Sequence, residues 1–564
     1  MRRAFQAWRT SFPLFSAEHT LTFPDSDTPF HTGELEAQSR AGAGDVAQWA
    51  KGFIRDHLPE QHRIFHANLP FLIVAGADER GKTWVTVLEG QEKFVRSPDP
   101  YHLIVKPTLD KDDPLAKSFA SGTNIGVLGI ELATRRRNRF SGFMRHDNEQ
   151  YCIDIRQAFG NCPQHIHPRN WTRVERSTIP VALTTTSLST TQISQIQNAD
   201  TLFIGSGHSG SNEAQLNGYD ASHRGGESGF VKVLDSKTLK IPDYAGNNFF
   251  NTVGNLMTDS RVGLLFIDFE SGGLLHITGR ASIDWEPENP HDSGAMRIIH
   301  IDIENVIERL QAVSLRWTKQ QDQSLNLKLV RREDESRDIT SFYFISADDR
   351  SLKPFEAGQH LPIEVQIPGQ SDISRRTYSL SGTPEDLTHY RISVKREKHG
   401  TVSRYFHDDF RPGMQINALQ PSGGFVIPCK DCPLVFVSAG VGLTPMLSMM
   451  HSIAVETRLG WFIHGTRNGS SHALREEVNQ LVNQNSNLQK RIYYSRPEQD
   501  DVLGRDYDIK GRITAKDLIE LDAGNRANYM LCGPMSFLAD LRNDLEKACV
   551  SADQIHFETF GVGN

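Results

Sequence analysis

Apolar and polar residues alternate through most of the chain up to about residue 320, in short runs separated by turn formers. Residues 125–144 read IGVLGIELATRRRNRFSGFM and residues 262–281 read VGLLFIDFESGGLLHITGRA. Each is an apolar run ending in an acidic residue, then a turn, then an alternating strand that opens onto a glycine. Upstream, PFLIVAGADERGKTWVTVL (70–88) parallels DTLFIGSGHSG (200–210) followed by GFVKVLD (229–235). A period of two with few long helical patterns predicts antiparallel sheet. Two such units, each of roughly 130 residues, predict two small barrels in tandem. We place them at 31–180 and 181–318, behind an N-terminal arm of residues 1–30.

The pattern then changes twice. LNLKLVRREDESRDITSFYFISAD, HLPIEVQIPG and HYRISVKREKHGTVSRYFHDDFRPGMQINALQPSGGF predict a further antiparallel barrel over 319–428. From 429 onward, strands alternate with helices. PLVFVSAGVGLTPMLSMM (433–450) reads as a buried strand, a glycine turn and a helix. WFIHGTR (461–467), KRIYYSR (490–496) and NYMLCGP (528–534) read as further apolar strands. Such alternation predicts a parallel sheet over 429–564, with ligands at the carboxyl ends of its strands. The fold class is therefore multidomain: tandem β-barrels, a third β-barrel, then an α/β domain.

Composition narrows the function classes. The chain is too long, at 564 residues, for a single core. A net charge of -8 argues against a nucleic-acid partner. No run approaches the roughly 20 apolar residues of a membrane helix, so we expect no membrane partner and a cytoplasmic location. The N-terminus, MRRAFQAWRTSFPLFSAEH, has three arginines before its first acid. It reads as a frayed basic arm, with a mitochondrial presequence as the alternative. The six cysteines are too scattered for a disulfide framework or an iron–sulfur cluster. Cys429 and Cys432 read as a loop pair that holds no metal.

Three polar constellations carry candidate chemistry. The first is RRTYSLSG (375–382), an arginine pair, an aromatic and three serine or threonine hydroxyls with no apolar stripe. On a strand, Arg376 and Tyr378 face one way and Ser379 the other. A flavin needs charge for its phosphate, a flat surface for its ring and a hydrogen bond near its reactive nitrogen; this string offers all three where strand-end or bulge geometry brings Ser379 round to the ring, and a polar edge strand is the alternative. HGTVS (399–403) adds an anion cradle through Gly400, Thr401 and Ser403. The second is SAGVGLTP (438–445). Gly440 and Gly442 remove side chains where a strand turns into a helix, whose N-terminus presents bare N–H groups to a phosphate. Thr444 adds a hydroxyl, and Pro445 suits the first helical turn. A tight turn with no ligand would read the same way. The third lies in the second repeat. Ser222, His223 and Arg224 precede two glycines, and Gly246, Asn247 and Asn248 form a turn. Arginine, histidine and amide donors beside small residues suit an anion, although two ordinary polar turns would look alike. His165 and His167 read as surface histidines near a proline, with metal or haem ligation as the alternative.

Two resemblances sharpen these readings. The run from SHRGG through IPDYAGNNFFNTVGNL to LHITGRA is similar to the pyridoxamine 5'-phosphate oxidase-like, FMN-binding split-barrel family. That resemblance implies FMN at the interface of paired barrels, its phosphate held by the polar turns, and a pairing of two chains unless the internal duplication supplies both barrels. Family members commonly carry Arg and Lys where this chain has Asn247 and Asn248. Residues 325–564 resemble the ferredoxin–NADP reductase family, and most closely the reductase half of flavohaemoglobins. The motifs run in order: Arg376 to Ser379, VKRE (394–397), Gly400 to Ser403, SAGVGLTPM (438–446), LCGPMSF (531–537) and FETFG (557–561).

The second resemblance implies that Arg376 holds a flavin phosphate, Tyr378 packs on the ring and Ser379 reaches toward N5. It implies that Gly400, Thr401, Val402 and Ser403 bind the pyrophosphate of FAD. Gly440, Gly442, Thr444 and Pro445 would meet the nicotinamide dinucleotide, with Cys532, Gly533 and Pro534 beside the nicotinamide and Phe560 near the flavin. Arg467 and Arg496 end two strands where an adenosine 2'-phosphate would sit, which favours NADPH over NADH. The combined expectation is an NAD(P)H-dependent FAD oxidoreductase that passes electrons to FMN, a substrate or oxygen at the N-terminal barrels. A haem-handling barrel driven by its own reductase and a flavin-binding redox sensor are the alternatives.

Overall fold

A computed structural model describes residues 28–559 apart from 149, 161–164, 177–180, 211–215, 289, 293, 321–323, 349–350, 370–372, 399, 429–430 and 522. The N-terminal basic run, Cys429 and Phe560 lie outside the described residues. Among the described residues three helices come first: α1 (Thr32–Arg40), α2 (Val46–Ala50) and α3 (Glu60–Asn68). The first sheet follows, from β1 (Phe71–Ala77), β2 (Thr83–Glu89), β3 (Val95–Asp99), β4 (His102–Val105), β5 (Thr123–Glu131), β6 (Arg136–Asp147) and β7 (Gln150–Gly160), with helix α4 (Ala116–Ser121) between β4 and β5. Short strands β8 (Arg169–Arg173) and β9 (Leu183–Thr185) and helix α5 (Thr190–Asn198) lead to the second sheet. It holds β10 (Thr201–His208), β11 (Gly218–Gly225), β12 (Lys232–Val233), β13 (Thr238–Asp243), β14 (Arg261–Ile267), β15 (Leu274–Asp284) and β16 (Arg297–Arg309), with α6 (Asn251–Thr258) in the place equivalent to α4.

The two sheets share one topology. The first runs β2-β1-β5-β6-β7-β4-β3 and the second β11-β10-β14-β15-β16-β13-β12, strand for strand. One expected correspondence is corrected. The partner of β10 in its hairpin is Gly218–Gly225, whereas GFVKVLD supplies β12 at the far edge of the sheet. Both segments alternate, so periodicity alone could not choose between them.

The near-continuous apolar runs of β1 and β10 have a physical cause. Leu72 and Val74 point into the interior of the first sheet, while Phe71, Ile73 and Ala75 point into a core shared with the second sheet. Leu202 and Ile204 line the second interior, and Phe203 joins the shared core. A strand buried on both faces loses its polar alternates. The sheets cross at two glycines. A Cβ on Gly126 of β5 would lie 2.4 Å from the Tyr219 carbonyl oxygen and 2.6 Å from Asp220 Cα; one on Gly263 of β14 would lie 2.9 Å from the Thr83 oxygen and 2.8 Å from Trp84 Cα. Strand pairing makes Thr83 the counterpart of Tyr219, and Trp84 that of Asp220. The contact is thus related to itself by a pseudo-two-fold axis within one chain.

After β17 (Leu315–Lys319), which pairs with β8, come β18 (Leu325–Asp334), β19 (Ile339–Ser346), β20 (His360–Gln366), β21 (Ile373–Ser379), β22 (Tyr390–Lys395) and β23 (Gln415–Ala418). They form one antiparallel sheet, β21-β20-β23-β18-β19-β22, and helix α7 (Thr401–Asp408) follows β22. The last part is α/β: β24 (Leu434–Ala439), α8 (Leu443–Ala454), β25 (Gly460–Thr466), α9 (Arg475–Gln484), β26 (Leu488–Tyr494), β27 (Ile509–Lys510), α10 (Ala515–Ile519), β28 (Asn528–Gly533), α11 (Met535–Lys547) and β29 (Ile555–Thr559). Its sheet, β27-β26-β25-β24-β28-β29, is parallel throughout.

The halves of the chain share a core. Val46 and Ala50 of α2, with Phe53, Ile54 and Phe249, cluster with Leu538, Leu541 and Leu545 of α11. Phe53 meets Phe557 of β29 edge-on with ring centroids 5.1 Å apart. Gly52 is needed there, because a Cβ would come within 3.0 Å of Ala539 Cα. Among the described residues no helix is long and apolar enough to cross a membrane.

Candidate functional site

The carboxyl end of the parallel sheet meets the edge of the preceding antiparallel sheet along one seam. Ser379 ends β21, opposite His360 of β20. His360 Nδ1 lies 3.7 Å from Glu558 of β29. Glu558 stands opposite Cys532 of β28. The Cys532 carbonyl would be 2.2 Å from a Cβ on Gly442, so only glycine lets the β24–α8 turn pack on β28. Residues far apart in sequence thereby form one surface: Ser379, His360, Glu558, Cys532 and Gly442.

The first constellation is a strand wall. Arg376 and Tyr378 lie on the same face of β21, as their spacing requires. The Tyr378 ring sits 6.2 Å from that of Phe406 on α7. Burial pushes its hydroxyl up to about 12, against the opposing pull of Arg376. Ser379 is buried and its hydroxyl has no hydrogen-bond partner in the protein. One carboxylate oxygen of Glu558 is in the same condition. Buried polar atoms without partners cost about 1–3 kcal/mol each, and two of them on one seam fit a ligand ring with a polar edge.

Helix α7 supplies the second part. Val402 and Phe406, four residues apart, are buried in the core of the antiparallel sheet and fix the helix axis. Gly400 is its N-cap residue, and a Cβ there would lie 2.4 Å from Ser403 Oγ. Ser403 Oγ accepts from the Glu397 N–H and donates to the Gly400 carbonyl, 3.2 Å each. Thr401 opens the first turn and is exposed. The helix N-terminus, with Gly400 and Thr401, could hold an anion.

In the third part, Gly440 adopts φ +56° and the segment Gly440–Gly442 forms a tight turn into α8. Thr444 donates its hydroxyl to the Val441 carbonyl at 3.1 Å, and Pro445 sits in the first helical turn. Gly533 and Pro534 lead from β28 into α11, beside Gly442. Burial, with Glu558 adding to it, pushes the Cys532 thiol well up, so it is not a thiolate nucleophile. Arg467 and Arg496 are exposed at the ends of β25 and β26, side by side: the Arg496 N–H donates to the Arg467 carbonyl at 2.8 Å.

Across this seam lies a contact that sequence reading missed. Arg391 of β22 donates to both oxygens of Glu477 on α9, which also bonds to His451 of α8 at 2.6 Å. Burial alone would raise the Glu477 carboxyl; the hydrogen bonds from His451 and Arg391 outweigh it and hold it at about 2. These residues are widely separated in sequence and carry no motif; His360 carries none either, whereas its neighbour Glu558 lies within FETFG, which gave no sign of that contact.

A match to known families decides the nature of this half. Residues 326–427 match the oxidoreductase FAD-binding domain, and residues 436–543 match the oxidoreductase NAD-binding domain. The C-terminal half is an FAD/NAD oxidoreductase module. A flavohemoprotein of Deinococcus radiodurans is 37% identical over 236 residues, 42% of this chain and 58% of its own length. One from Bacillus subtilis is 37% identical over 236 residues, 41% and 58%. The chain therefore spans under two thirds of the length of these curated relatives. Among solved structures, the flavohem-like FAD/NAD-binding domain of a nitric oxide dioxygenase from Vibrio cholerae is 30% identical. It covers 42% of this chain and 98% of that one, with a TM-score of 0.38.

The N-terminal constellation forms a separate cleft. Ser222, His223 and Arg224 lie on strand β11, and Asn247 and Asn248 lie in the β13–α6 loop facing them. Arg137 and Arg139 reach in from β6 of the first sheet, and Arg297 from β16. Arg224 and Arg297 pair with Asp243, and Arg139 pairs with Asp220 at 3.3 Å and donates to Ser222 at 2.6 Å. Four arginines against these two carboxylates leave the cleft positive. Burial, then Arg137, push His223 well down, so its ring is neutral. His165 stands at the mouth, exposed on one side, its ring stacked on Tyr244 at 4.6 Å. Desolvation, then Arg137, lower it to about 4. Gly225 has no room for a Cβ, which would lie 2.0 Å from the His165 carbonyl oxygen. His167 is engaged elsewhere: its Nε2 bonds to the Gly226 carbonyl at 2.8 Å. Among the described residues no group of three or more His, Cys, Asp or Glu side chains is arranged to hold a metal ion. Cys432 is disulfide-bonded.

The cleft adjoins strand β21. Arg375, next to Arg376 on β21, donates to Glu227 of the β11–β12 loop at 2.5 Å. Arg375 also contributes to the lowering of His165. Arg135 of the β5–β6 turn bonds to Ser422, whose backbone pairs with that of His360.

Proposed function

We propose that the chain is an NAD(P)H-dependent FAD oxidoreductase that delivers electrons to an acceptor held in the N-terminal cleft. The observation that carries this is the adjacency of cleft and wall: Arg375 of β21 donates to Glu227 of the β11–β12 loop, and Arg135 of the β5–β6 turn bonds to Ser422, whose backbone pairs with that of His360. FAD, when bound, supplies a ring that takes hydride from a nicotinamide and releases electrons singly or in pairs.

The chain's own residues supply position and charge. Arg376 and the α7 N-terminus, Gly400 to Ser403, would hold the phosphates of FAD, and Tyr378 its ring. Ser379, with its otherwise unused hydroxyl, would donate a hydrogen bond to the ring edge. Gly440, Gly442, Thr444 and Pro445 would receive the dinucleotide, and Cys532, Gly533 and Pro534 would limit where the nicotinamide sits. The resemblance would put Phe560, the second aromatic of FETFG, near the flavin ring. Arg467 and Arg496 favour NADPH, because paired exposed guanidinia suit a 2'-phosphate.

The N-terminal half is best read as a tandem split barrel. Support comes from the identical strand order of its two sheets and their pseudo-two-fold glycine crossing. In that reading Ser222, His223, Arg224, Asn247 and Asn248 contact a phosphate-bearing ligand such as FMN. The neutral His223 donates a hydrogen bond there, and the arginines balance the ligand's charge.

The test is anaerobic reduction of the purified full chain, loaded with FAD, by NADPH and by NADH. Bleaching of the flavin absorbance, followed by reoxidation that accelerates when FMN is added, is the expected result. A flavin that stays oxidised with both nucleotides refutes the reading.

A further inference from the structure

The pseudo-two-fold axis implies a second cleft, and the structure shows what stands in its place. Strand pairing fixes the counterparts. Ile73 lies opposite Val87 and Leu128, as Phe203 lies opposite His223 and Leu265. Ser222, His223 and Arg224 thus correspond to Thr86, Val87 and Leu88. Leu128 faces Arg139 and Ile130 faces Arg137; Leu265 faces His276 and Ile267 faces Leu274. Arg137 and Arg139 therefore correspond to Leu274 and His276.

At the mate position both carboxylates are occupied by the protein's own arginines and the ring of His276 is buried, leaving His276 Nε2 and Arg176 Nε as enclosed atoms without partners. Thr86 donates to Asp113, and Arg309 bonds to Asp113 at 2.6 Å and to Asp110 at 2.8 Å. Arg176 bonds to the same oxygen of Asp110 at 2.7 Å. His276 Nδ1 bonds to the Val85 carbonyl at 2.8 Å. Asp113, Arg309, His276, Val87 and Leu88 are all buried. Two arginines against two carboxylates leave this place neutral, in contrast to the positive cleft on the other side.

We propose that the tandem sheets offer one anion site per chain, at the cleft beside β21, and that Arg309, Asp110 and Asp113 close its symmetry mate. The open site takes a phosphate-bearing small molecule, and both repeats build it: Arg137, Arg139 and His165 from the first, Ser222 to Arg224 and the Asn247–Asn248 loop from the second. A single chain is then complete for binding. The assignment of a phosphate ligand rests on the split-barrel reading above; the closure of the mate does not.

The experiment titrates FMN, and separately inorganic pyrophosphate, into the full chain already saturated with FAD. Calorimetry and native mass spectrometry read the stoichiometry. One FMN per chain is expected, with affinity at least tenfold weaker in Asn247→Glu and in Arg137→Gln at unchanged FAD content. Asn247 is an exposed loop residue, so its variant tests the site even if Arg137→Gln misfolds. Two FMN per chain, affinity unchanged in both variants, or no saturable binding of either probe overturns the proposal. Failure of the electron-relay reading shows up separately, as FAD that NADPH reduces but added FMN does not reoxidise faster.

Discussion

Arg391 grips Glu477 with two hydrogen bonds, of 2.7 and 2.9 Å, and so ties the antiparallel sheet to helix α9 of the α/β domain, across the seam that brings Ser379, His360, Glu558 and Cys532 together. Removing one partner strands the other charge in a mostly buried place. Glu477→Gln should cost about 3 kcal/mol, the lower end for breaking a buried pair because Glu477 keeps some exposure. Thermal melts of the full chain check it, with a shift of several degrees expected.

The same pair predicts a pH dependence. The Glu477 carboxyl is held at about 2, below its ordinary value of 4.5. A depressed acid stabilises the fold fully above its unfolded value and loses that contribution as pH falls toward the folded one. The stability gap between the native chain and Glu477→Gln should be constant near neutrality and shrink between about pH 4.5 and pH 2. A gap that stays constant through that window would remove Glu477 from the account.

Gly442 touches the Cys532 carbonyl with no space for a side chain. Gly442→Ala must push the β24–α8 turn away from β28. FAD content should be retained, and flavin bleaching by NAD(P)H should slow by about 10²-fold, the scale of an ångström-sized misplacement. Stopped-flow absorbance separates the two effects.

Ser379 offers a hydroxyl that nothing else in the protein uses. Ser379→Ala should leave the melting temperature unchanged or slightly raised, since a buried unpaired group is lost. Hydride transfer should slow by about 10²-fold if the hydroxyl meets the ring edge. An unchanged bleaching rate would take Ser379 out of the site.

Gly126 and Gly263 make the same contact from opposite sheets. Alanine at either should destabilise by about 1–3 kcal/mol through overpacking against backbone. Similar losses in the two variants, measured by denaturant melts, are the signature of the internal two-fold. A large loss in one and none in the other would contradict it.

Sequence reading reached the local features of the molecule and missed those made by distance. RRTYS and SAGVGLTPM announce themselves because strand alternation and glycine turns act over a few residues. The change to strand–helix alternation after residue 428 is equally local, and the parallel sheet from β24 follows it. Arg391 and Glu477, or His360 and Glu558, meet only through tertiary packing; a lone charged residue such as Arg391 or Glu477 carries no periodic signal, and the FETFG string that holds Glu558 does not say what it meets. The β10 hairpin shows the limit from another side. GFVKVLD and the SHR strand both alternate, and only packing of the second against the first sheet decides which one pairs with β10. Ser222 to Arg224 accordingly belong to a strand interior, with the cleft made by a loop and by arginines from the other repeat.

The cluster of α2, Phe53, Phe249 and α11 gives the molecule an unusual kind of indivisibility. Its leading helices serve the tail of the chain as much as the sheets that follow them. Excising the reductase at residue 320 would leave an oily flank along α11 and a bare Phe557 on the last strand of the parallel sheet. The two halves should accordingly melt together, and electrons should cross between neighbours that never part company.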